Sequence, residues 1–209
     1  LIQLGTAGVR VADTLNLISG GEIKIKFFEP NALVPPLEIF DAVSNGSVDA
    51  GWSTSGYWGS KNSALNIFAT VPFGPQAGEY LAWMWYGDGD KLKNEIYNKH
   101  GIQSITCGIH SPETSGWFKK EIHGPEDLKG LKMRFYGIGA KVMQKLGVDT
   151  QLLAGGDIFP ALERGTIDAT EYSMPAIDLQ LGFYNAAKHN YFPGWHQQST
   201  IQEMLINKK

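Results

Sequence analysis

The chain has 209 residues, of which 43% are hydrophobic and 19% are charged, so it can bury a core and is not mainly disordered. Its 18 basic and 21 acidic side chains give a formal net charge of −3, without the basic excess that binding to a phosphate backbone requires. The longest apolar run, Leu81 to Tyr86, is far shorter than the roughly 20 residues of a membrane-spanning helix. Composition therefore argues against nucleic acid as a partner and against a membrane span, and it favours one large or two small domains.

Hydrophobic periodicity predicts alternating helices and strands along the first half of the chain. Apolar residues spaced three and four apart predict helices, and Gly20 and Gly46 predict where two of them end. Alternation of polar and apolar side chains predicts a half-exposed strand from Glu22 to Phe27. The predicted helices are 6–19, 36–46, 76–86 and 91–99, and the predicted strands are 22–27, 48–53 and 102–109.

The second half shows the same alternation in shorter segments. The predicted strands are 132–135, 148–153 and 166–172, and the predicted helices are 138–146 and 157–163. A strand followed by a helix and a further strand is typical of parallel strands joined by helical crossovers. The sequence therefore predicts the α/β class, with helices covering the faces of the sheets.

A segment that reads as helix, glycine and short strand occurs twice, at 39–53 and, one residue longer, at 158–173. Six positions are identical at an offset of 119, including the glycine that ends each helix. One interpretation is convergence on a common connection between a helix and a strand, and the other is two similar α/β lobes. With two lobes, residues 52–57 and 170–173 lie at the carboxyl ends of equivalent strands, where open α/β sheets bind ligands, and the cleft lies between them.

Three charged residues are candidates for a binding site. Arg134 lies between Met133 and Phe135 in a predicted strand, and it binds a ligand carboxylate, forms an internal ion pair or faces water at an edge. Glu171 follows a predicted buried strand and is either the partner of Arg134 or an oxygen ligand for a cation. Glu113 follows another strand, where the alternative is a solvated loop glutamate. Two carboxylates and one arginine suit an anion bound with a metal ion, and they suit acid-base chemistry equally well.

Other kinds of site find little support in the sequence. Cys107 is the only cysteine, no Gly-x-Ser-x-Gly motif occurs, and none of the five histidines has metal-ligand spacing. Gly137-Ile138-Gly139 lacks the third glycine of a dinucleotide-binding loop, because Val142 stands there. The aromatic cluster at 191–198 has no helical period, which favours a hinge or cleft loop, with structural packing as the default alternative.

Six runs of sequence carry a resemblance to a known family. They are Leu33 to Val43, Gly116 to Ile122, Asp127 to Arg134, Gly155 to Leu162, Gly165 to Glu171 and Tyr191 to His196. Together they resemble the solute-binding proteins of tripartite ATP-independent periplasmic (TRAP) transporters, the DctP-type family, over nearly the whole chain. The last three runs resemble the branch that binds 2-oxo and 2-hydroxy acids, such as pyruvate and lactate, together with a metal ion.

The resemblance implies roles for individual residues. Arg134 matches the arginine that pairs with the substrate carboxylate, and Glu171 matches the metal-coordinating glutamate. Tyr172 is expected to give its backbone carbonyl to the metal and its side chain to the ligand, at a position where tryptophan is common. Glu113 stands where glutamine is frequent, and the extra charge favours calcium over sodium.

The resemblance also implies further pocket residues and a fold. Tyr57, Trp58 and Trp195 are expected to line the ligand pocket, and Gln198 or Gln197 to complete the metal shell. The expected fold is a two-lobed α/β fold of the periplasmic-binding-protein type, with mixed sheets and a ligand cleft between lobes. We expect parts of lobe I at 1–107 and lobe II at 108–209, with hinge crossings near both ends and a chain truncated at both ends.

The implied function is that of an extracytoplasmic, periplasmic solute receptor that performs no chemistry. It would bind a small 2-oxo or 2-hydroxy monocarboxylate with calcium or sodium, use no organic cofactor, and deliver the ligand to the TRAP membrane permease. A homodimer of the full-length protein is a further expectation. The alternatives are a metal-free receptor for a C4-dicarboxylate or an aromatic acid and, in another class, a lyase or hydrolase that uses Glu171 and Glu113 as acid and base.

Overall fold

The structure is a computed structural model that describes residues 2–209, with side chains from Leu4 onward. Its contacts divide the chain into two compact units. The first unit contains the residues up to Ser53, Asp90–Gly108 and Gln202–Lys209, and the second contains Thr54–Gly89 and Ile109–Ile201. Each unit is assembled from separated segments, whereas the predicted lobes, 1–107 and 108–209, are continuous. The lobes of the whole protein stay a prediction.

Short helices and short strands alternate along most of the described residues. The helices are α1 Ile2–Ile18, α2 Ile39–Asn45, α3 Ala77–Tyr86, α4 Gly89–Tyr97, α5 Gly137–Lys145, α6 Gly155–Arg164, α7 Pro175–Gln180 and α8 Phe183–Ala186. The strands are β1 Ala50–Ser53, β2 Ile102–His110, β3 Gly116–Phe118, β4 Lys132–Arg134, β5 Asp149–Gln151, β6 Ala169–Thr170, β7 His189–Tyr191 and β8 Thr200–Asn207. Short 3₁₀ turns occupy Pro36–Glu38, Ser55–Trp58, Ser63–Phe68, Asn98–His100 and Pro125–Leu128. None of these helices is both long and apolar enough to cross a membrane.

Two mixed or antiparallel sheets organise the units. The smaller has the order β1-β8-β2, and β8 runs antiparallel to β1, with Ser53 opposite Glu203. The larger has the order β5-β4-β6-β3-β7, in which β4 runs parallel to β5 and β6 while β3 runs antiparallel to β6 and β7. The predicted helical crossovers thus account for the parallel strands only, and the predicted α/β class with mixed sheets is confirmed.

The buried core of the larger sheet determines which face of β4 carries Arg134. Buried apolar side chains of β3, β4, α5 and β6 form one cluster, which contains Phe118, Met133, Phe135, Met143, Val148 and Ala169. Because side chains alternate across a strand, burial of Met133 and Phe135 against this core turns Arg134 to the opposite face of β4. Charged residues that follow these short strands are therefore held at fixed points of a packed scaffold.

The predicted strand from Glu22 to Phe27 is absent. The segment has no regular secondary structure, and its backbone bonds to a side chain: Asn16 Oδ1 accepts from the Ile25 N–H at 2.6 Å, and Asn16 Nδ2 donates to the Ile25 carbonyl at 2.9 Å. Among the described residues, no strand pairs with this segment. Alternation predicts which side chains face water, and it does not supply the neighbouring strand that a sheet requires.

The repeated segment folds the same way in both copies. Gly46 ends α2 and Gly165 ends α6 in the left-handed conformation, with φ of 80° and 77°. The Gly46 N–H bonds to the carbonyls of Ala42 and Val43, and the Gly165 N–H bonds to the two carbonyls at the same offset. A side chain is strained at such φ values, so each glycine allows the turn from helix to strand.

Candidate functional site

Arg134 ends β4 and is 1% exposed. Its Nη1 donates to Glu171 Oε1 at 2.7 Å and to the Glu171 carbonyl at 2.9 Å, and its Nε donates to the Leu153 carbonyl at 3.2 Å. Its guanidinium carbon lies 5.1 Å from the centre of the Tyr172 ring. The predicted internal ion pair is therefore present, and two edges of the guanidinium are fixed in place.

Glu171 follows β6 directly and is fully buried. Its Oε1 accepts from Arg134 and from the Tyr136 N–H at 2.6 Å, whereas its Oε2 has no hydrogen-bond partner among the described residues. Burial would raise the pKa of the Glu171 carboxyl, but the charge of Arg134 outweighs it and holds that pKa below its usual value. Glu171 is thus a charged carboxylate with one oxygen paired and one oxygen left for a ligand.

Glu113 lies in the loop between β2 and β3 and is 1% exposed, so the alternative of a solvated loop glutamate is wrong. Its N–H donates to the Gln197 carbonyl at 3.1 Å, and its own carbonyl accepts from the Gly194 N–H at 2.8 Å. A Cβ at Gly194 would lie 2.7 Å from the Glu113 carbonyl oxygen, so glycine allows the two loops to approach. Burial raises the pKa of Glu113, and its Oε2 has no hydrogen-bond partner among the described residues.

His196 completes this cluster, although the sequence analysis did not select it. The side chain is buried, and its Nε2 lies 3.5 Å from Glu171 Oε2 and 3.8 Å from Glu113 Oε2. Burial would lower its pKa, but the two carboxylates outweigh that effect and raise the pKa of His196 to about 9. A Cβ at Gly139 would lie 3.2 Å from the His196 Cβ and 2.6 Å from the Phe135 ring, so this glycine leaves room for the packed histidine.

The donor set of Glu113, Glu171 and His196 fits a cation. One ligand atom from each lies within 4.8 Å of the others, and two of these atoms are buried carboxylate oxygens without a hydrogen bond. Neighbouring ligands of a calcium ion, at about 2.3–2.6 Å from it, lie roughly 3.3–3.7 Å apart across a right angle. The two separations from His196 Nε2 to the carboxylate oxygens are 3.5 Å, within that range, and 3.8 Å, just above it.

Two of the predicted pocket residues adjoin Arg134. Burial raises the pKa of Tyr57, and the charge of Arg134 opposes that rise. Burial likewise raises the pKa of Tyr172, whose ring lies beneath Arg134. A Cβ at Gly155 would lie 2.3 Å from the Tyr172 hydroxyl oxygen, so glycine at the start of α6 makes room for that hydroxyl. Trp58 is buried, with its ring 6.0 Å from that of Tyr57.

The remaining predicted residues belong to the loop before β8. Trp195 packs its ring on those of Phe135 and Phe73, at 6.0 and 5.8 Å. Gln198 is half-buried, and its Nε2 donates to the Gly194 carbonyl at 3.2 Å. Gln197 is buried, and its Oε1 has no hydrogen-bond partner among the described residues. The predicted roles of Trp195 in ligand binding and of Gln198 in the metal shell stay predictions.

Sequence reasoning missed His196 because the spacing of metal ligands is informative only within one helix or loop. Glu113, Glu171 and His196 come from separate loops that the larger sheet brings together. The signal that was available is the run Trp195 to Gln198, which ends the non-helical aromatic cluster at 191–198 and contains three polar side chains. An interpretation of that cluster as a cleft loop, if extended to each polar residue, would have included the histidine.

Arg134 and Glu171 lie at the ends of the parallel strands β4 and β6, the part of an open α/β sheet where ligands bind. The DctP profile, described as bacterial extracellular solute-binding protein, family 7, matches residues 2–209. The chain therefore belongs to the DctP family, and the predicted resemblance is confirmed. The family and its structural neighbours are solute-binding receptors and not enzymes, which argues against the alternative of a lyase or hydrolase.

Relatives of the chain bind small carboxylates. A monocarboxylate 2-oxoacid-binding periplasmic protein of Nostoc sp. is 41% identical over 202 residues, which are 97% of this chain and 54% of that protein. A TRAP solute-binding protein of Bordetella bronchiseptica, a dimer with copurified calcium and picolinate, has a TM-score of 0.95 and 38% identity over 98% of this chain and 61% of that one. One from Pseudoalteromonas atlantica, with sodium and pyruvate, has a TM-score of 0.93 and 39% identity over 97% and 61%. The chain thus spans between half and two thirds of the relatives it matches.

Proposed function

We propose that the whole protein is a periplasmic receptor of a TRAP transporter that binds a small 2-oxo or 2-hydroxy monocarboxylate together with a cation. The observation that carries this proposal is the pair of buried carboxylate oxygens, Glu113 Oε2 and Glu171 Oε2, that have no hydrogen bond and lie beside a buried arginine. A buried polar group costs free energy unless it is paired, so a site of this kind is completed by a ligand.

The charges of the site support a cation and an anion together. Glu113 and Glu171 bring two buried carboxyl groups beside the Arg134 guanidinium and the His196 imidazole, and a cation held by both carboxylates would take the place of the proton on that imidazole. When bound, that cation supplies a positive anchor for the carboxylate and the 2-oxygen of the ligand. Arg134 uses Nε and Nη1 within the protein, which leaves Nη2 for the ligand carboxylate.

The relatives support the same ligand class. Pyruvate and picolinate both place a donor atom next to a carboxylate, and the proteins that bind them hold sodium and calcium. In this chain two carboxylates face the site, and oxygen ligands of higher total charge favour calcium over sodium. We infer that calcium is the better of those two cations for this site.

The family supports a cellular location for the whole protein and a destination for its ligand. The family is extracellular and the Nostoc relative is periplasmic, which supports a periplasmic location for the whole protein. We expect delivery of the ligand to the TRAP permease, and a dimer of the full-length protein like that of the Bordetella relative. To test delivery, uptake of labelled pyruvate by vesicles that contain the permease should require the added receptor. To test the dimer, size-exclusion chromatography with light scattering should give twice the protomer mass.

Tryptophan fluorescence and calorimetry of the full-length protein test the ligand. We expect saturable binding of pyruvate or lactate with calcium, weaker binding with sodium, and none after chelation. Arg134→Lys keeps the charge, but its single nitrogen cannot bond to Leu153, to Glu171 and to the ligand as the three nitrogens of Arg134 do. Affinity for the carboxylate should therefore fall roughly tenfold to a hundredfold, whereas the exposed Arg164→Lys should bind normally. Normal binding by Arg134→Lys would refute its role. Binding of succinate or an aromatic acid that ignores chelation would favour the metal-free receptor.

A further inference from the structure

We propose that His196 is a nitrogen ligand of the bound cation, so that the site binds divalent transition-metal cations such as Mn²⁺ and Co²⁺ more tightly than Ca²⁺. This inference rests on the proposed function, because it assigns the cation class of the same site. It concerns a residue whose spacing in the sequence gave no sign of metal binding.

The first observation concerns the buried ring nitrogens of His196. The residue is 1% exposed, and neither of its ring nitrogens has a hydrogen-bond partner among the described residues. A buried imidazole normally donates from one nitrogen and accepts at the other, and leaving both unpaired is costly. The other faces of the ring are occupied by packing, since Phe135 lies edge-on at 4.9 Å and Trp195 at 5.6 Å. Nε2 is the ring nitrogen that lies near the carboxylates, at 3.5 Å from Glu171 Oε2 and 3.8 Å from Glu113 Oε2.

The distances are the second argument. Nε2 lies 3.5 Å from Glu171 Oε2 and 3.8 Å from Glu113 Oε2, which is too far for good hydrogen bonds to either oxygen. Ligands that share one ion at about 2.1 Å lie roughly 3.4 Å apart across a tetrahedral angle. A nitrogen and two oxygens at these separations are therefore spaced as ligands of a common ion.

The types of donor atom at the site determine which cations it prefers. Calcium takes oxygen ligands almost exclusively, whereas Mn²⁺, Co²⁺ and Zn²⁺ also accept imidazole nitrogen, and affinity for such ligands rises from Mn²⁺ through Co²⁺ to copper and falls again at Zn²⁺. One imidazole among two carboxylates therefore adds affinity for the transition metals and adds little for calcium. Replacing the imidazole by an amide oxygen, in His196→Gln, should return the site to calcium.

The test uses the full-length receptor after removal of metal by chelation, with Mn²⁺ and Ca²⁺ as probes. Pulsed electron paramagnetic resonance of bound Mn²⁺ should show modulation from one directly coordinated ¹⁴N nucleus in the wild-type protein. The modulation should vanish in His196→Gln and persist in His123→Gln, a matched control that removes an exposed imidazole 3.7 Å from Glu121 Oε2. Calorimetry should show Mn²⁺ affinity about tenfold lower or more in His196→Gln, with Ca²⁺ affinity changed far less.

The outcomes separate this inference from the proposed function. Bound Mn²⁺ without ¹⁴N modulation in the wild-type protein would overturn the role of His196, and this result needs no variant to fold. Equal losses of Mn²⁺ and Ca²⁺ affinity in a folded His196→Gln would overturn the cation preference. If neither ion binds, with or without pyruvate, the proposed function itself fails.

Discussion

Two buried charged clusters, one in each unit, differ in whether their polar atoms are paired. In the first unit Lys93 Nζ donates to Thr106 Oγ1 at 2.7 Å and lies 2.9 Å from Asp90 Oδ1. Glu203 accepts from the Tyr97 hydroxyl on one oxygen and from Ser104 Oγ at 2.6 Å on the other. In the second unit the Oε2 atoms of Glu113 and Glu171 are left without hydrogen bonds.

The difference shows that a buried carboxylate is not by itself a sign of a binding site. Glu203 is as buried as Glu171, and burial raises its pKa against the opposing charge of Lys93. Its oxygens are satisfied by neighbouring side chains, so its cluster needs nothing more. Glu171 is satisfied on one oxygen only, and the second oxygen points to a ligand.

The largest expected change in stability comes from removing the cation of the first unit's cluster, in which the polar atoms are paired. Lys93→Met removes the only cation we find against Asp90 and Glu203 among the described residues, so it should lower the free energy of unfolding by about 3–5 kcal/mol. Denaturant unfolding of the full-length protein measures the loss, which added calcium should not restore. The control is Lys129→Met, because the exposed ion pair of Lys129 with Glu126 should contribute little. A similar loss in both variants would contradict the comparison.

At a fourth buried carboxyl, that of Asp178, we expect a proton to replace the missing partner. Asp178 accepts from Thr114 Oγ1 and Trp117 Nε1 on one oxygen and has no partner for the other among the described residues. Burial raises its pKa to about 7, against these hydrogen bonds and with a smaller rise from Glu171. A raised pKa in the folded state means that stability from this group is full below about pH 4 and is lost as the pH rises to about 7.

The change at Asp178 should reach roughly 4 kcal/mol, since each pH unit between the two pKa values is worth about 1.4 kcal/mol. Asp178→Asn cannot lose a proton, so its unfolding free energy should exceed that of the wild-type protein at pH 8 and match it more closely at pH 4. Thermal unfolding of both proteins across this range gives the difference. A difference that does not vary with pH would show that Asp178 keeps an ordinary pKa.

The cation site should respond to the loss of one carboxylate with an effect of intermediate size. A cation at a hundred times its dissociation constant stabilises a protein by about 2.7 kcal/mol. In Glu113→Gln this cation-dependent stabilisation should largely disappear, whereas the exposed Glu121→Gln should keep it. Melting temperatures with calcium and with chelator measure both. If Glu113→Gln still gains the full shift, the second carboxylate is not part of the cation shell.

The sequence predicted the parts of the fold that depend on neighbouring residues. Each predicted helix and strand other than 22–27 has a counterpart in the structure within a few residues, because periodicity and glycine caps act locally. The strands that it missed, β3, β7 and β8, pair antiparallel with distant partners or lie between two strands. In β8 the first four residues are all buried, so no alternation marks the strand.

The candidate site likewise contains residues that the local sequence predicts and residues that only long-range contacts bring to it. Arg134 and Glu171 were selected because a charge in an apolar strand pattern needs a partner, and the structure joins them at 2.7 Å. Glu113 was selected by its place after a strand, but its burial depends on the Gly194 loop, which no local pattern connects to it. His196 depends on the same long-range contact, so only the folded chain shows it beside the carboxylates.

The smallest expected effect distinguishes two neighbouring amides. Gln197 is buried with an unpaired Oε1, and its Nε2 donates to Thr200 Oγ1, which lies 3.5 Å from Glu113 Oε1. Gln198 is half-buried, and its amide nitrogen is held by the Gly194 carbonyl. Removing a group that supports a metal ligand typically lowers metal affinity by about tenfold or more. Gln197→Ala should therefore lower calcium affinity by about that factor, and Gln198→Ala should lower it by less. Calorimetry of both variants decides, and the opposite order would assign the cation shell to Gln198.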